Sequence, residues 1–355
     1  MSLRGCHRFQ KLTLFIPFHI CYDTGKRKEL VFPSLCGRPD RKDNHMKEKI
    51  VIALGRSALG DDFPKQQAGV AVSARAIADL IEARYHVIIT HSNGPQVGMI
   101  HTAMTELNHN HPDLYSPAPM SVCSTLSQGY IGYDLQNALR TELLNRGIFK
   151  TVVTLITQVR VDPFDPAFSH PVKTLGRYMS EEDAQAEEAK GNYVIKEEQG
   201  YQRIYCSPKP LEIYEIDAIR TLEEAGQVVI ACGGGGIPVL EQGTRLKGAS
   251  AVIEKDFTAA RLADQLDADV LLLLTSGRKL AIGYGTPQET YVDELSLQEA
   301  QKYLDEGRLS AATTQPKLEA AVNFVAAAPG RRAIISCLDE ALDAVNGKAG
   351  TVIHP

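Results

Sequence analysis

The chain has 355 residues, of which 44% are hydrophobic, so it can bury a large core as one α/β domain or as two lobes. Its formal net charge is -5 at pH 7, and such an acidic protein is not expected to bind nucleic acid. The seven cysteines form no C-x-x-C pair, which favours buried thiols in a reducing cytoplasm over a disulfide framework.

Residues 1–45 differ from the rest of the chain. An apolar run at residues 12–21 follows several basic residues, as in a secretory signal, but Pro17 and His19 interrupt it and no A-x-A site follows. We expect a disordered extension or a start site placed too far upstream, because a clear strand pattern begins only after Met46. No other stretch is apolar enough to span a bilayer, so no membrane association is expected.

Beyond residue 46, apolar strands alternate with helices. A strand at residues 50–54 precedes a helix at 70–85, whose apolar residues recur at helical spacing, and a second strand at 86–90. Further short apolar runs lie at residues 152–157, 228–232, 270–274 and 333–336. Near-continuous apolar strands predict a mostly parallel open sheet that is covered on both faces, which is an α/β fold of the three-layer αβα sandwich type.

The pattern changes between residues 160 and 207. The turn-forming sequence D-P-F-D-P at residues 162–166 precedes a charged helix at 180–190 that lacks a strong apolar face. We predict that this segment leaves the sheet as a small protruding subdomain or lid. Segments of this kind commonly close over a substrate.

Four consecutive glycines, Gly233, Gly234, Gly235 and Gly236, follow the apolar run at residues 227–232. Without Cβ atoms, their backbone N–H groups can come close to a bound anion, which predicts a phosphate cradle. Neither G-x-G-x-x-G nor G-x-x-x-x-G-K-[ST] is present, so a standard dinucleotide-binding or P-loop fold is not indicated. The alternative is a tight strand-to-helix connection that binds no ligand.

Two other strand ends carry small polar residues or glycine, at positions 55–57 and 92–94. In a parallel sheet such loops meet at the carboxyl edge, where backbone amides and helix N-termini can bind a phosphorylated ligand. Three lysines stand in unusual local settings: Lys173 in the excursion, Lys255 beside Asp256, and Lys317 at a predicted helix start. A solvated surface charge is the alternative for each lysine taken singly.

Nine motifs, in chain order from Met46 to the C-terminus, resemble those of the carbamate kinases. They are the segments at residues 52–55, 93–98, 127–133, 157–159, 165–168, 207–210, 233–238, 251–256 and 316–317. The resemblance implies the amino acid kinase fold, a homodimer, and reversible phosphoryl transfer between ATP and carbamate. In this family the reaction often makes ATP from carbamoyl phosphate during arginine breakdown.

The resemblance also implies roles for individual residues. Lys173, Lys255 and Lys317 would be catalytic, and Asp256 would position Lys255 and Lys317. Carbamate and phosphate would be bound by Gly55, Arg56, Ser57, Ser92, Asn93, Gly94, Gly234 and Gly235. The nucleotide would be bound by Gly233, Gly236, Lys255, Tyr284 and Lys317.

The same resemblance divides the chain into a substrate-binding half at residues 46–225 and a nucleotide-binding half at 226–355, with residues 160–207 as the family's protruding subdomain. Mg²⁺ would arrive on the phosphates of ATP or ADP and keep several waters, so no protein-bound metal is expected.

Several loop positions depart from the family pattern. Arg56 and Ser92 stand where glycine is usual, and residues 312–315 read A-T-T-Q in place of G-S-M-G. Arg56 would either crowd the phosphate or contact it through its guanidinium group. The alternative to an active kinase is therefore an impaired relative that binds nucleotide or carbamoyl phosphate as a sensor or partner subunit. A kinase that acts on another small acid is a third reading.

Overall fold

The computed structural model describes residues 48–283, 287, 289–307, 309 and 314–355, without the side chains of residues 176 and 177. The predicted N-terminal extension therefore lies outside the described residues. The strands are β1 (Lys49–Leu54), β2 (His86–His91), β3 (Val152–Thr154), β4 (Gln158–Val161), β5 (Lys173–Met179), β6 (Tyr193–Glu197), β7 (Gly200–Tyr205), β8 (Pro210–Ile213), β9 (Val228–Ile230), β10 (Ile237–Gln242), β11 (Arg245–Gly248), β12 (Val270–Thr275), β13 (Leu280–Ile282), β14 (Thr290–Val292), β15 (Glu294–Ser296), β16 (Arg332–Cys337) and β17 (Thr351–His354).

Helices lie between many of these strands. They are α1 (Phe63–Glu82), α2 (Gly94–Asn110), α3 (Met120–Asn145), α4 (Glu181–Ala189), α5 (Ile216–Glu224), α6 (Lys255–Gln265), α7 (Leu297–Asp305), α8 (Thr314–Ala327) and α9 (Ala341–Val345). Within the described ranges, no helix combines the length and the apolar composition that a membrane crossing requires.

The main sheet has eight strands in the order β15-β17-β16-β12-β1-β2-β9-β3. Its neighbouring strands pair in parallel, except that β16 and β17 are antiparallel. The prediction of a mostly parallel open sheet is confirmed. The carboxyl ends of β1, β2, β9, β12 and β16 consequently lie at one edge, where the loops that follow them meet.

The side chains of β1 show why the sheet is covered on both faces. Ile50, Ile52 and Leu54 pack into an apolar cluster with α1, α3 and α9, whereas Val51 and Ala53 pack into a second cluster with α5, α6, α7 and α8. All five side chains are fully buried. Burying a branched aliphatic side chain stabilises the fold by about 1.5–3 kcal/mol relative to leaving it exposed. The predicted three-layer sandwich is therefore confirmed.

Helix α1 begins seven residues earlier than the predicted start at residue 70. The Asp62 carboxylate caps it by accepting a hydrogen bond from the Lys65 N–H at 2.9 Å, and Pro64 occupies the first turn. That turn is largely exposed, so it carries no apolar periodicity. Capping chemistry, and not hydrophobic spacing, sets where this helix begins.

Most of the segment predicted to protrude forms a small sheet of its own. Strands β5, β7 and β6 pair in that order and antiparallel, and α4 occupies the predicted charged-helix position with Ser180 as its N-cap. On either side of this excursion, β4 and β8 pair with each other and join a second sheet in the order β11-β10-β4-β8. The excursion thus leaves and returns through adjacent strands.

Candidate active site at the carboxyl edge of the sheet

A cavity with a volume of about 1160 Å³ lies at the carboxyl edge of the main sheet. Its wall contains most of the residues that the sequence singled out. They are Gly55, Arg56, Ser57, Ser92, Asn93, Gly94, Lys173, Gly234, Lys255 and Lys317. These residues come from six separate stretches of the chain, which the fold brings to one place.

Two of the predicted catalytic lysines converge on one carboxylate. Lys255 is the first residue of α6 and donates to Oδ1 of Asp256, while Lys317, in the first turn of α8, donates to Oδ2 at 2.9 Å. Asp256 is fully buried beneath the cavity wall, and Lys255 is 9% exposed. Because α6 and α8 pack together, one buried acid holds two ammonium groups side by side.

The electrostatics of Asp256 follow from this arrangement. Burial by itself would raise the pKa of its carboxyl group, but the ammonium groups of Lys255 and Lys317 outweigh burial and hold the pKa below its usual range. Asp256 is therefore ionised at neutral pH and accepts hydrogen bonds from both ammonium groups. A pair of oriented cations is suited to bind the oxygens of a phosphoryl group.

The third predicted catalytic lysine reaches the cavity from the excursion. Lys173 is the first residue of β5, and its Nζ donates to Oε2 of Glu254 at 2.5 Å. Glu254 immediately precedes α6, so this ion pair lies one residue from Lys255. The structure thus brings all three lysines to one cavity.

The tetraglycine turn owes its composition to close packing. Gly234, Gly235 and Gly236 have positive φ angles of 66°, 89° and 88°. A Cβ atom on Gly233 would lie 2.4 Å from Nε2 of His91, and one on Gly235 would lie 2.4 Å from the carbonyl oxygen of Ile253. Both distances are too short for non-bonded atoms, so glycine is required at these positions.

Of the four glycines, Gly234 lines the cavity, whereas Gly233, Gly235 and Gly236 lie behind it. A Cβ on Gly234 would lie 2.0 Å from Nδ2 of Asn93, so this glycine packs directly against the loop after β2. The structure therefore brings one member of the predicted cradle to the cavity. The other three shape the turn that presents it.

The loop after β2 leads into α2, whose N-terminus lies at the cavity wall. Asn93 precedes the helix and donates from Nδ2 to Oγ of Ser127 at 2.8 Å. Gly94 is the first residue of α2, and no heavy atom lies within 4 Å of where its Cβ would be. The first amides of a helix attract anions, so this end of α2 suits a phosphate or carboxylate group.

The loop after β1 contains the arginine that departs from the family pattern. Gly55 packs tightly, since a Cβ there would lie 2.7 Å from the carbonyl oxygen of Leu274 in β12. Arg56 and Asp61 both line the cavity, and the guanidinium group donates to Oδ1 of Asp61 from Nε at 3.0 Å. The positive charge of Arg56 is therefore neutralised by a neighbouring carboxylate.

The cavity wall carries an excess of positive charge. Its described cationic residues are Arg56, Lys173, Lys255, Lys279 and Lys317, and its described carboxylates are Asp61 and Glu254. Each of these two carboxylates is paired with a cation of the wall. Asp256 beneath the wall and Asp293 beside Lys279 offset part of this charge, and the remaining positive excess favours an anionic ligand.

No individual site role was predicted from the sequence for several residues that complete the wall. They are Gly60, Asp61, Val97, Thr174, Leu175, Val252, Ile253, Glu254, Thr275, Ser276, Gly277, Lys279, Leu280, Ala281, Tyr291, Thr314 and Ile335. The polar sequence T-S-G at 275–277, directly after a predicted strand, was a signal for the loop after β12. Tyr291 and Lys279 had no such signal, because only packing brings the β13–β14 hairpin to the site. Tyr284, the predicted adenine contact, lies outside the described residues, as do residues 312 and 313.

A buried histidine supports the tetraglycine turn from below. His91 ends β2 and is 1% exposed, its Nδ1 lies 2.9 Å from the carbonyl oxygen of Ser92, and its Nε2 packs against Gly233. Burial lowers the pKa of His91 from 6.5 to about 4. The imidazole is therefore neutral at pH 7, with Nδ1–H donating to the Ser92 carbonyl.

This histidine predicts a loss of stability on acidification. The unfolded chain binds a proton at His91 as the pH falls through 6.5, but the folded chain does so only near pH 4. We expect His91 to reduce the free energy of unfolding by about 2 kcal/mol between pH 7 and pH 5. Urea titrations at both pH values measure this change, and His91→Asn should remove it. An equal pH dependence in both proteins would contradict the prediction.

The comparisons with known proteins agree with this geometry. A family model described as the amino acid kinase family matches residues 48–336. The carbamate kinase-like protein YqeA of Escherichia coli is 50% identical over 311 residues, which make up 87% of this chain and 99% of that protein. The carbamate kinase of Clostridium perfringens is 44% identical over 312 residues, or 86% of this chain and 99% of that protein.

A solved structure gives the same result. Carbamate kinase from Giardia lamblia bound to AMP-PNP aligns with a TM-score of 0.82 at 35% identity, covering 86% of this chain and 98% of that chain. The resemblance drawn from the nine sequence motifs is therefore confirmed. From its family match, its fold and these relatives, the chain belongs to the amino acid kinase family, within the group formed by the carbamate kinases.

Proposed function

We propose that this protein transfers a phosphoryl group reversibly between ATP and carbamate, giving ADP and carbamoyl phosphate. The observation that carries the proposal is the convergence of Lys255 and Lys317 on buried Asp256, in a cavity wall shared with Gly234 and the start of α2. The relatives named carbamate kinase support carbamate as the acceptor in place of another small acid.

The chemistry of the reaction matches what the wall offers. Carbamate is already an anion, so the nucleophile needs no catalytic base. The main requirement is to place the two substrates in line and to cancel the charge on the equatorial oxygens of the phosphoryl group. Three lysines supply the positive charge that this requires, and backbone amides at the start of α2 can donate hydrogen bonds, so no proton transfer is needed.

We assign the two ends of the cavity to different substrates. Carbamate and the transferred phosphoryl group would lie near the loops at residues 55–57 and 92–94, with Gly234 and Gly235 beneath them. The nucleotide would lie toward the loop after β12 and the β13–β14 hairpin. Lys255 and Lys317 would contact the phosphates between the two ends, and Lys173 would approach from the excursion, which we propose acts as a lid.

We propose that Mg²⁺ enters on the phosphates of the nucleotide. In the described part of the chain no group of three His, Cys, Asp or Glu side chains could hold a metal ion. The cavity carboxylates Asp61 and Glu254 are both engaged with cations. Phosphate oxygens and water are therefore the expected ligands, and the ion would neutralise part of the phosphate charge.

We further propose a cytoplasmic homodimer that serves arginine or other carbamoyl phosphate breakdown. The exposed apolar side chains Val122, Leu126 and Tyr133 follow one another along α3 at helical spacing, which favours contact with a second copy. The thiols of Cys123, Cys206, Cys232 and Cys337 are free, as expected in a reducing compartment.

A coupled assay of ATP formation from carbamoyl phosphate and ADP tests the proposal. We expect a rate that depends on the protein, on Mg²⁺ and on both substrates, well above a blank without protein. The blank is essential because carbamoyl phosphate decomposes in water. Acetyl phosphate and other acyl phosphates in place of carbamoyl phosphate test whether another small acid is the acceptor.

The same assay distinguishes an active kinase from an impaired relative that only binds its ligands. No rate above the blank, together with retained ADP or carbamoyl phosphate binding by calorimetry, would contradict the proposed function and favour a binding protein. The comparisons do not support that alternative, since the matching relatives include proteins named carbamate kinase along nearly their whole length.

A further inference from the structure

The ion pair between Lys173 and Glu254 joins the excursion to the segment that precedes α6. Both side chains line the cavity, although 81 positions separate them in the sequence. Their side chains are 34% and 18% exposed, respectively, so water screens this pair less than a surface pair. Glu254 has no role in the function proposed above.

Backbone hydrogen bonds fix both ends of this pair. Lys173 lies opposite Tyr205 in the β5–β7 ladder, and the next residue, Cys206, accepts a hydrogen bond from the Val252 N–H at 3.0 Å. Val252 lies two residues before Glu254. The segments that carry Lys173 and Glu254 are thus both hydrogen-bonded to the chain at the end of β7. The backbone, and not only the two flexible side chains, therefore sets the geometry of the ion pair.

Two acids therefore organise the three lysines of the cavity, but in different ways. Asp256 is fully buried and holds two lysines, so a ligand cannot displace it. Glu254 is partly exposed at the wall and holds Lys173. A phosphoryl group that enters the cavity offers Lys173 a charge-assisted hydrogen bond and can take it from Glu254.

We propose that Glu254 is a positioning residue for Lys173, resting on the function proposed above. In the empty site it holds the ammonium group of Lys173 over the cavity. When carbamoyl phosphate binds, the ammonium group passes from the Glu254 carboxylate to the phosphoryl oxygens. Glu254 thereby restricts the conformations of the Lys173 side chain, so that its ammonium group is already close to the reactive position when the substrate binds.

Glu254→Gln tests this role because it keeps the size of the side chain and removes its charge. We expect kcat for ATP formation to fall about tenfold, since a misplaced cation stabilises the transition state less well. KM for carbamoyl phosphate should stay the same or fall, because the Glu254 carboxylate no longer competes with the phosphoryl oxygens for the ammonium group of Lys173. An unchanged kcat, or a raised KM with the same kcat, would overturn the proposal.

A double-mutant cycle separates positioning from a general structural effect. Adding Glu254→Gln to Lys173→Met should change kcat by less than about twofold, because two residues that act as a unit are non-additive. If the glutamine again costs tenfold in that background, Glu254 does not act through Lys173. Glu212→Gln is the matched control, since Glu212 pairs with Arg160 at 2.9 Å in the strands beside the excursion and does not line the cavity.

A chemical readout keeps the inference testable even without turnover. Lysine acetylation followed by mass spectrometry should label Lys173 severalfold faster in Glu254→Gln than in the unaltered protein, because an ammonium group held in an ion pair is less reactive. Glu212→Gln should leave that labelling unchanged. Equal labelling of Lys173 in all three proteins would overturn the inference, whatever the coupled assay shows about the proposed function.

Discussion

Replacing Lys255 with methionine is expected to lower kcat for ATP formation by about a thousandfold. Methionine keeps the length of the side chain and its apolar stem but removes the charge. Lys255 is 9% exposed and held by Asp256, so its ammonium group has one fixed position in the wall. Among the residues of the wall, its loss should therefore have the largest effect on catalysis.

The response of Asp256 should add to the loss of activity in Lys255→Met. In Lys255→Met, Asp256 keeps Lys317 but loses one of the two cations that offset its burial, so its pKa should rise toward or above the usual range. A protonated Asp256 would then hold the ammonium group of Lys317 less firmly in place. A thermal unfolding scan shows whether the variant is folded.

Lys302→Met is the matched control for this variant. Lys302 lies on α7 with a side chain that is 72% exposed, away from the cavity, and its replacement should leave kcat within about twofold. If Lys255→Met retained more than a tenth of the original kcat while folded, the lysine would not contact the transferred group. The assignment of the site would then be wrong.

Gly235→Ala is expected to lower the free energy of unfolding by about 4 kcal/mol. The residue has a φ of 89°, and its Cβ would lie 2.4 Å from the carbonyl oxygen of Ile253. A backbone atom cannot rotate away as a side chain can, so the turn or the segment before α6 must shift. Because Lys255 lies two residues after Ile253, catalysis should suffer together with stability.

A second glycine separates backbone strain from this collision. Gly243, in the turn between β10 and β11, has a φ of 62°, and no heavy atom lies within 4 Å of where its Cβ would be. Gly243→Ala should therefore cost only about 1 kcal/mol, from the left-handed conformation itself. Guanidinium titrations of both variants measure the difference. Equal losses would show that the contact with Ile253 is not decisive.

The tetraglycine turn is important for the structure of the site although only one of its four glycines, Gly234, lines the cavity. Gly233 allows His91 to pack beneath the turn, and Gly235 allows the segment before α6 to pass behind it. The Thr258 hydroxyl group donates to the carbonyl oxygen of Gly235 at 2.8 Å, which ties the turn to α6 itself. The turn thus sets the position of the helix that begins with Lys255.

The sequence determined the local elements with good accuracy where hydrophobic pattern was strong. The central strands β1, β2 and β12 were predicted to within one residue at each end, because buried parallel strands are nearly continuous apolar runs. The start of α1 was missed, since its first turn depends on the Asp62 cap. The small strands β10, β11, β13 and β14 were missed as well, because their burial and pairing depend on distant segments.

The sequence also predicted the glycine-rich loops and the three lysines as site residues. Glycine or small polar residues at the carboxyl end of a parallel strand are typical of an anion-binding loop. Only the tertiary structure decided which of these residues meet. Asp256 joins Lys317 across 61 positions, and Glu254 joins Lys173 across 81, so neither pair leaves a local spacing in the sequence. The tetraglycine run likewise could not reveal that Gly234 alone of the four lines the cavity. That depends on His91, the Ile253 backbone and Val159, which pack against Gly233, Gly235 and Gly236, respectively. Local pattern fixes which elements form, whereas contacts between distant segments arise from packing.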